Sequence, residues 1–261
     1  MERPDTRRIW EANAPAWIEL SRAGYDVNRD LVNTPAFFDL LPSVDRLFGL
    51  DLGCGEGHNT RLLVAGGAEV VALDTSRPFI EAAASVSGDA IRFVLADGAI
   101  LPFGEASFDF VTGFMSLMDV ADPETTLAEV ERVLKPGGFA QFSILHPFGS
   151  TPVRRWVEDA DGQREALAIG DYFYEGPITE SWTFGSQPEE LRARHRPFTI
   201  TYARRTLTGW FNAFADAGLT IDAVGEPSAS EEVAREHPEV ADSRIAPFFL
   251  HFRARKTLEP A

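Results

Sequence analysis

The sequence contains one cysteine, two lysines and no long apolar run, and each shortage closes off a class of protein. With Cys54 alone, the chain can form neither an internal disulfide nor a thiolate metal cluster, which suits a reducing compartment. Nothing approaches 18 uninterrupted apolar residues, and the opening Met-Glu-Arg-Pro-Asp-Thr-Arg-Arg has no signal-peptide core. The chain is therefore expected to be cytoplasmic, with no membrane partner. Lys135 and Lys256 are the only lysines, and 24 Lys and Arg against 40 Asp and Glu leave a net charge of −16. A surface that neutralises phosphates is missing, so no nucleic-acid partner is expected. The five histidines, at 58, 146, 195, 237 and 251, show no metal-ligand spacing, and no metal is expected.

What remains is ample for an enzyme core: 261 residues, 44% of them hydrophobic. Short β-rich runs alternate with helical patterns, the mark of βαβ units and a parallel sheet. Strands are expected at Arg46–Leu52, Ala68–Asp74, Ile91–Ala96, Phe108–Phe114 and Phe139–Leu145. Helices fall between them at Arg61–Ala65, from Arg77 to about Val86, and from Pro123 to the stop at Lys-Pro-Gly-Gly. About sixty aromatic-rich residues from His146 to Arg205 then break the alternation and read as an insertion or lid. A helix from Thr206 to Ala217, a sixth strand at Leu219–Val224 and a last one at Pro247–Ala254 complete seven strands. Upstream, Trp10, Trp17 and Ile18 sit at helical spacing, and Thr34-Pro35 reads as N-cap and first residue of a helix through Leu41. The whole is expected to be one domain, 1–261. Its parts are an N-terminal helical cap (1–43), a ligand-binding core (44–145), a lid or substrate insertion (146–205) and a C-terminal helix with strands (206–261).

The densest chemical signal is Gly49-Leu50-Asp51-Leu52-Gly53-Cys54-Gly55-Glu56-Gly57, where a strand ends and a helix begins, the place at which open α/β sheets bind nucleotides. Glycines at 53, 55 and 57 permit a sharp turn and are expected to leave backbone N–H groups free to donate. Their Gly-x-Gly-x-Gly spacing departs from the dinucleotide fingerprint at the third glycine. Asp74 closes the second strand about twenty residues on, where a carboxylate accepts ribose hydroxyls, the lesser alternative being a cap on the next helix. Asp97-Gly98 ends the third strand, where a carboxylate can accept the exocyclic amine of adenine or simply make a turn.

These stretches, with Val-Val-Ala-Leu-Asp-Thr-Ser, Ala-Asp-Gly-Ala-Ile-Leu-Pro-Phe, Ser-Phe-Asp-Phe-Val-Thr-Gly-Phe and Glu-Val-Glu-Arg-Val-Leu-Lys-Pro-Gly-Gly-Phe in that order, resemble the class I S-adenosylmethionine-dependent methyltransferases over nearly the whole chain. The resemblance implies an α/β, Rossmann-like, seven-stranded and mostly parallel sheet with helices on both faces and an antiparallel seventh strand between the fifth and sixth. It implies S-adenosyl-L-methionine as cofactor and S-adenosyl-L-homocysteine as product. Asp51 and the loop Gly53, Cys54, Gly55 and Gly57 would hold the methionine part, Asp74 and Thr75 the ribose, and Ala96, Asp97 and Gly98 the adenine. Phe114 and Met115 would lie beside the sulfonium, and Trp17 and Tyr25 in helices closing over the cofactor. Within the loop Cys54 reads as a small filler, not a nucleophile.

A sulfonium is already a strong electrophile, so alignment of the acceptor dominates and a general base adds to it. His146, just after the fifth strand, is the first candidate base, and His195, before the strand-like Phe198–Tyr202, the second. Asp119 stands where it either faces substrate or caps the following helix. The aromatic insertion hints at a small aromatic or polyketide-like acceptor from secondary metabolism, methylated at O, N or C. The protein would act as a monomer or homodimer. Two alternatives share the fold: an NAD(P)-dependent oxidoreductase, and an adenosylmethionine-binding protein without methyl transfer.

Overall fold

A parallel strand covered on both faces reads as a near-continuous apolar run, and burial follows that pattern through the centre of this molecule. The computed structural model describes residues 5–88 and 91–258; the ends of the expected domain, 1–4 and 259–261, lie outside the described residues. Helix α1 (Thr6–Arg22), a π-helical turn (Arg29–Asn33) and α2 (Thr34–Leu40) precede the sheet. Then β1 (Phe48–Leu52), α3 (His58–Ala65), β2 (Glu69–Asp74), α4 (Arg77–Ser87), β3 (Arg92–Leu95), β4 (Phe108–Phe114), α5 (Pro123–Val133) and β5 (Leu134–Leu145) follow in order. The insertion comprises β6 (Val153–Glu158), β7 (Arg164–Gly170), β8 (Gly176–Trp182), α6 (Glu189–Arg194) and β9 (Phe198–Arg204). The chain ends with α7 (Leu207–Asp216), β10 (Leu219–Gly225), α8 (Glu231–Glu236) and β11 (Phe249–Lys256).

Seven strands make one sheet in the order β10-β11-β5-β4-β1-β2-β3. β11 runs antiparallel between β5 and β10, while the other pairings are parallel. This is the Rossmann-like methyltransferase topology expected from the resemblance. On one face Leu50, Leu52, Val111 and Phe142 pack against Leu127 and Val130 of α5 and Trp210 and Phe214 of α7. On the other, Val70, Phe110 and Phe139 pack against Leu63 of α3. Emptying one such aromatic position costs about 3–5 kcal/mol, so the two layers dominate stability.

Local chemistry explains where boundaries moved. β1 starts at Phe48, not Arg46, because Arg46 takes a left-handed φ of 59° and turns the chain into the strand. Lys-Pro-Gly-Gly ends α5 as expected, yet the chain stays on the sheet: Leu134 pairs with Phe108 before a register shift, so β5 begins five residues earlier. Thr34 is not an N-cap. The π-helical turn feeds directly into α2, Asn33 has helical angles, and no side chain caps the junction.

The insertion forms two hairpins, β6–β7 and β8–β9, outside the main sheet. The β8–β9 hairpin is amphipathic: Thr179–Thr201 and Ser181–Thr199 pair hydroxyls on one face, while Phe198 and Ile200 are buried on the other. Its apolar face meets α1, where Trp17 lies 5.0 Å from the Phe198 ring and 5.1 Å from that of Phe184. Asn13 and Ser186 add hydrogen bonds to Thr199 O and Tyr25 O. The N-terminal helix and the insertion are thus one cover over the sheet.

Candidate active site

Between that cover and the ends of β1–β4 lies a cavity of about 480 Å³, within the roughly 300–1,000 Å³ typical of ligand sites. Of the expected cofactor residues, Trp17, Tyr25, Gly53, Cys54, Gly55, Asp74, Thr75, Ala96, Asp97, Gly98, Phe114 and Met115 line it. Asp51 and Gly57 do not.

Asp51 is buried behind the loop, where its carboxylate accepts from Thr60 Oγ1 at 2.6 Å and Thr112 Oγ1 at 3.2 Å. Burial outweighs both bonds and raises its pKa to about 6. Gly57 starts α3 in the left-handed region, and a Cβ there would come within 3.1 Å of Ala83 Cβ; this glycine serves the packing of α3 on α4. Gly53 has a similar reason: a Cβ would meet Ser116 Cβ at 2.4 Å, and Ser116 Oγ donates to Leu52 O across the tips of β1 and β4.

The expectation that the loop keeps its amides free is corrected. Gly53 N and Cys54 N both donate to Leu73 O, Gly55 N to Asp74 Oδ2, and Gly57 N to Cys54 O. The loop holds itself together with these groups. The other donors beside the cavity belong to α3, which begins at His58 without a side-chain cap. Its first-turn N–H groups have no partner within the helix, and His58 and Asn59 line the cavity.

Asp74 accepts from Gly55 N at 2.9 Å and from Ser76 N at 2.8 Å, one bond per oxygen, leaving each a further lone pair. It is buried, which lifts its pKa to about 6. Asp97 is exposed and takes Ala99 N on one oxygen, closing a turn. Cys54 is no thiolate, because burial, then the charges of Asp74 and Asp51, push its pKa up. Met115 sits at the tip of β4 with φ 53°, an uncommon conformation for a residue with a side chain. Met115 N donates to Ser143 O at 2.8 Å and holds it there.

Neither candidate base reaches the cavity. His146 is fully buried, accepts from Phe148 N at Nδ1 and stands 2.9 Å from Glu226 through Nε2, so both ring nitrogens are occupied. Burial lowers its pKa despite Glu226. His195 caps the end of α6 and faces Glu19 of α1 at 3.2 Å, fastening the cover. Neither is among the lining residues. Asp119 is. It is 7% exposed, its Oδ1 has no hydrogen-bond partner among the described residues, and burial alone raises its pKa to about 8. Asn33, in a Val-Asn-Thr-Pro stretch that read only as the approach to a helix, also lines the cavity.

Six carboxyl groups, Asp26, Glu56, Asp74, Asp97, Asp119 and Glu180, line the cavity against two arginines, Arg29 and Arg154. Glu56 is held by Arg22 at 3.0 Å and Arg61 at 3.2 Å. Such a wall favours a ligand bearing positive charge over a pyrophosphate.

Residues 50–142 match the profile of a methyltransferase domain family. The chain is similar to an S-adenosylmethionine-dependent methyltransferase from Mesorhizobium loti of known structure, at 30% identity and TM-score 0.71, covering 85% of this chain and 96% of that one. This chain belongs to the S-adenosylmethionine-dependent methyltransferases. Its cofactor is accordingly S-adenosyl-L-methionine, and the acid-rich wall, the uncapped start of α3 and the spare lone pairs of Asp74 fit that molecule's ammonium and sulfonium charges, carboxylate and ribose. A demethylmenaquinone methyltransferase from Clavibacter sepedonicus is 44% identical over 106 residues, 40% of this chain and 42% of that protein. The chain spans less than half the length of most curated relatives that it matches. The [4+2]-cyclase SpnF, 15% identical with TM-score 0.63 and 99% of each chain covered, shares the fold alone. Among the described residues no helix is long and apolar enough to cross a membrane.

Proposed function

We propose that this enzyme methylates a hydroxyl or other protic group of a small, largely apolar acceptor held under the β8–β9 hairpin. What carries the reading is a single cavity with two unlike ends. One end has the acids and loop of β1–β3. The other has Trp182, Phe184, Ile200, Phe248 and Phe249, crossed by the Arg154–Glu180 ion pair. An apolar body with one or two polar groups suits that second end.

When bound, the cofactor supplies an electrophilic methyl group on sulfur. In this reading the first-turn amides of α3 hold its carboxylate, Asp74 accepts the ribose hydroxyls and Asp97 the adenine amine. Met115 and Phe114 shape the wall where the methyl is presented. The aromatic cover excludes water and aligns the acceptor, which can contribute roughly 7–11 kcal/mol of the barrier. Once it has lost its own proton, as it does when pH rises towards 8, Asp119 takes the acceptor's proton, a contribution of about 10²–10⁴-fold; it is the carboxyl on the cavity wall whose Oδ1 has no hydrogen-bond donor among the described residues. His146 and His195 are assigned structural roles. An NAD(P) pyrophosphate would face Glu56 and Asp74 with the loop amides already used, which disfavours the oxidoreductase alternative.

Incubation of extracts of small metabolites with methyl-labelled cofactor tests the proposal. Label should enter a low-molecular-weight product with the wild type and drop by about 10²-fold or more with Asp119→Asn. No incorporation by protein that binds the cofactor would leave a binding protein without methyl transfer.

A further inference from the structure

Asn33 ends the π-helical turn, is 1% exposed and belongs to a small buried polar group behind the cavity wall. Ser143 Oγ on β5 donates to Asn33 Oδ1 at 2.9 Å, and His251 Nε2 on β11 stands 2.7 Å from the same oxygen. Burial keeps His251 neutral, its pKa lowered to about 4, so it meets that oxygen as the Nε2–H tautomer. Ser143 and His251 are register partners on adjacent strands, so their spacing is set by the sheet.

With both bonds on Oδ1, the carboxamide cannot rotate freely, and Nδ2 is the half left over. It is buried without a hydrogen-bond partner among the described residues, although Asn33 lines the cavity. A buried donor left unpaired is costly, because it has given up its water without gaining a protein partner. The turn that places it is π-helical, with Thr34 N bonded to Arg29 O, a rare conformation that is frequent at functional sites.

The geometry points to Asn33 as a specificity-determining residue that donates from Nδ2 to a carbonyl oxygen of the methyl acceptor, with Ser143 and His251 as positioning residues that hold the amide in that orientation. This rests on the reading that the cavity takes an acceptor beside the cofactor. Asn33 supplies a donor and Asp119 an acceptor to the same cavity, and together they describe an acceptor class: hydroxy-carbonyl compounds with an apolar or aromatic body.

Ligand-observed NMR titrations of S-adenosylhomocysteine-saturated protein with a matched pair, 2-acetyl-1-naphthol and 2-ethyl-1-naphthol, test it. The wild type should prefer the ketone by about tenfold, the worth of one hydrogen bond. Asn33→Asp keeps an acceptor for Ser143 and His251 but has no N–H, so the preference should vanish while affinity for S-adenosylhomocysteine stays within about threefold. Ser143→Ala should lose part of the preference, and decides the matter if Asn33→Asp does not fold. Equal binding of the pair by the wild type, binding of neither, or a preference unchanged in both variants overturns the inference. So does a large loss of S-adenosylhomocysteine affinity in Asn33→Asp, which would assign the amide to the cofactor. Failure of the wild type to bind S-adenosylhomocysteine at all would instead overturn the underlying functional reading.

Discussion

The two ends of the cavity are built in different ways. At the cofactor end, every element is local in sequence: a strand, a tight turn and a helix start, repeated through β1–α3, β2–α4 and β3. At the acceptor end, the wall comes from residues far apart in the chain, with α1, the π-helical turn, the β8–β9 hairpin and the start of β11 all lining the cavity that Asp119 also lines. Turn chemistry specifies the first kind of site one residue at a time, whereas only tertiary packing specifies the second. The cofactor end should therefore fail through single polar groups, and the acceptor end through loss of packing or of Asp119.

The largest effect is expected at the cofactor end. Asp74→Ala removes the proposed ribose acceptor and also the tie to Gly55 N and Ser76 N. Two hydrogen bonds to a charged group are worth about 1.5–3 kcal/mol each, so affinity for S-adenosylhomocysteine should fall by 10²-fold or more, with native circular dichroism retained. An unchanged affinity would show that the two ends do not divide the ligands as described.

Asp119→Asn should separate the ends in the opposite sense, leaving cofactor affinity nearly unchanged while the rate of methyl transfer drops by about 10²–10⁴-fold. The same variant carries a pH signature. Asp119 has its pKa raised from 3.8 to about 8 in the folded protein, so its stabilising proton is fully present below pH 3.8 and is lost as pH rises through 8. The lowered histidines, His58, His146 and His251, act below about pH 6.5, and Asp51, Asp74 and Asp26 finish near 6. Urea denaturation of cofactor-free protein should accordingly show stability falling between pH 6.5 and 8, and a flatter profile for Asp119→Asn.

Trp17→Ala tests the packing side. Losing the ring that meets Phe184 and Phe198 should cost about 2–4 kcal/mol and open the β8–β9 hairpin to limited proteolysis, at conditions where the sheet stays folded. Cleavage no faster than in the wild type would mean that the cover does not depend on α1. His146→Ala should lower stability by about 1–3 kcal/mol through the lost bonds to Glu226 and Phe148 N, with kcat within a few-fold of the wild type. A collapse of kcat without loss of stability would restore His146 as the base. His195→Ala, which only loosens a pair with half-exposed Glu19, should shift stability by no more than about 0.5 kcal/mol.

Legibility follows the same division. The seven strands and ten lining positions at the cofactor end were readable because strand tips and turns leave marks in adjacent residues, glycines at 53 and 55 and acids at 74 and 97, whereas the antiparallel place of β11 followed only from the family resemblance. Even there, what each residue does was less visible than where it lies. Asp51 and Gly57 look like ligand contacts in the motif, but one is a buried strut for Thr60 and Thr112 and the other clears space for Ala83. The glycine loop was read as a source of free amides, and its amides turn out to bond Leu73 O, Cys54 O and Asp74. The candidate base His146 lies off the cavity lining because histidine next to a strand end is a chemical cue, while burial, which occupies His146 and leaves Asp119 Oδ1 unpartnered, is a property of the folded chain. Asn33 had no cue at all, since its partners Ser143 and His251 lie 110 and 218 residues away.

Isothermal titration calorimetry of the wild type with S-adenosyl-L-homocysteine tests the central claim most directly, because it asks only whether the wall of β1–β3 and α3 holds an adenosylated amino acid. The account predicts saturable heat at one site per chain, lost in Asp74→Ala and kept in Asp119→Asn. Folded protein giving no heat with either that compound or S-adenosyl-L-methionine would contradict it.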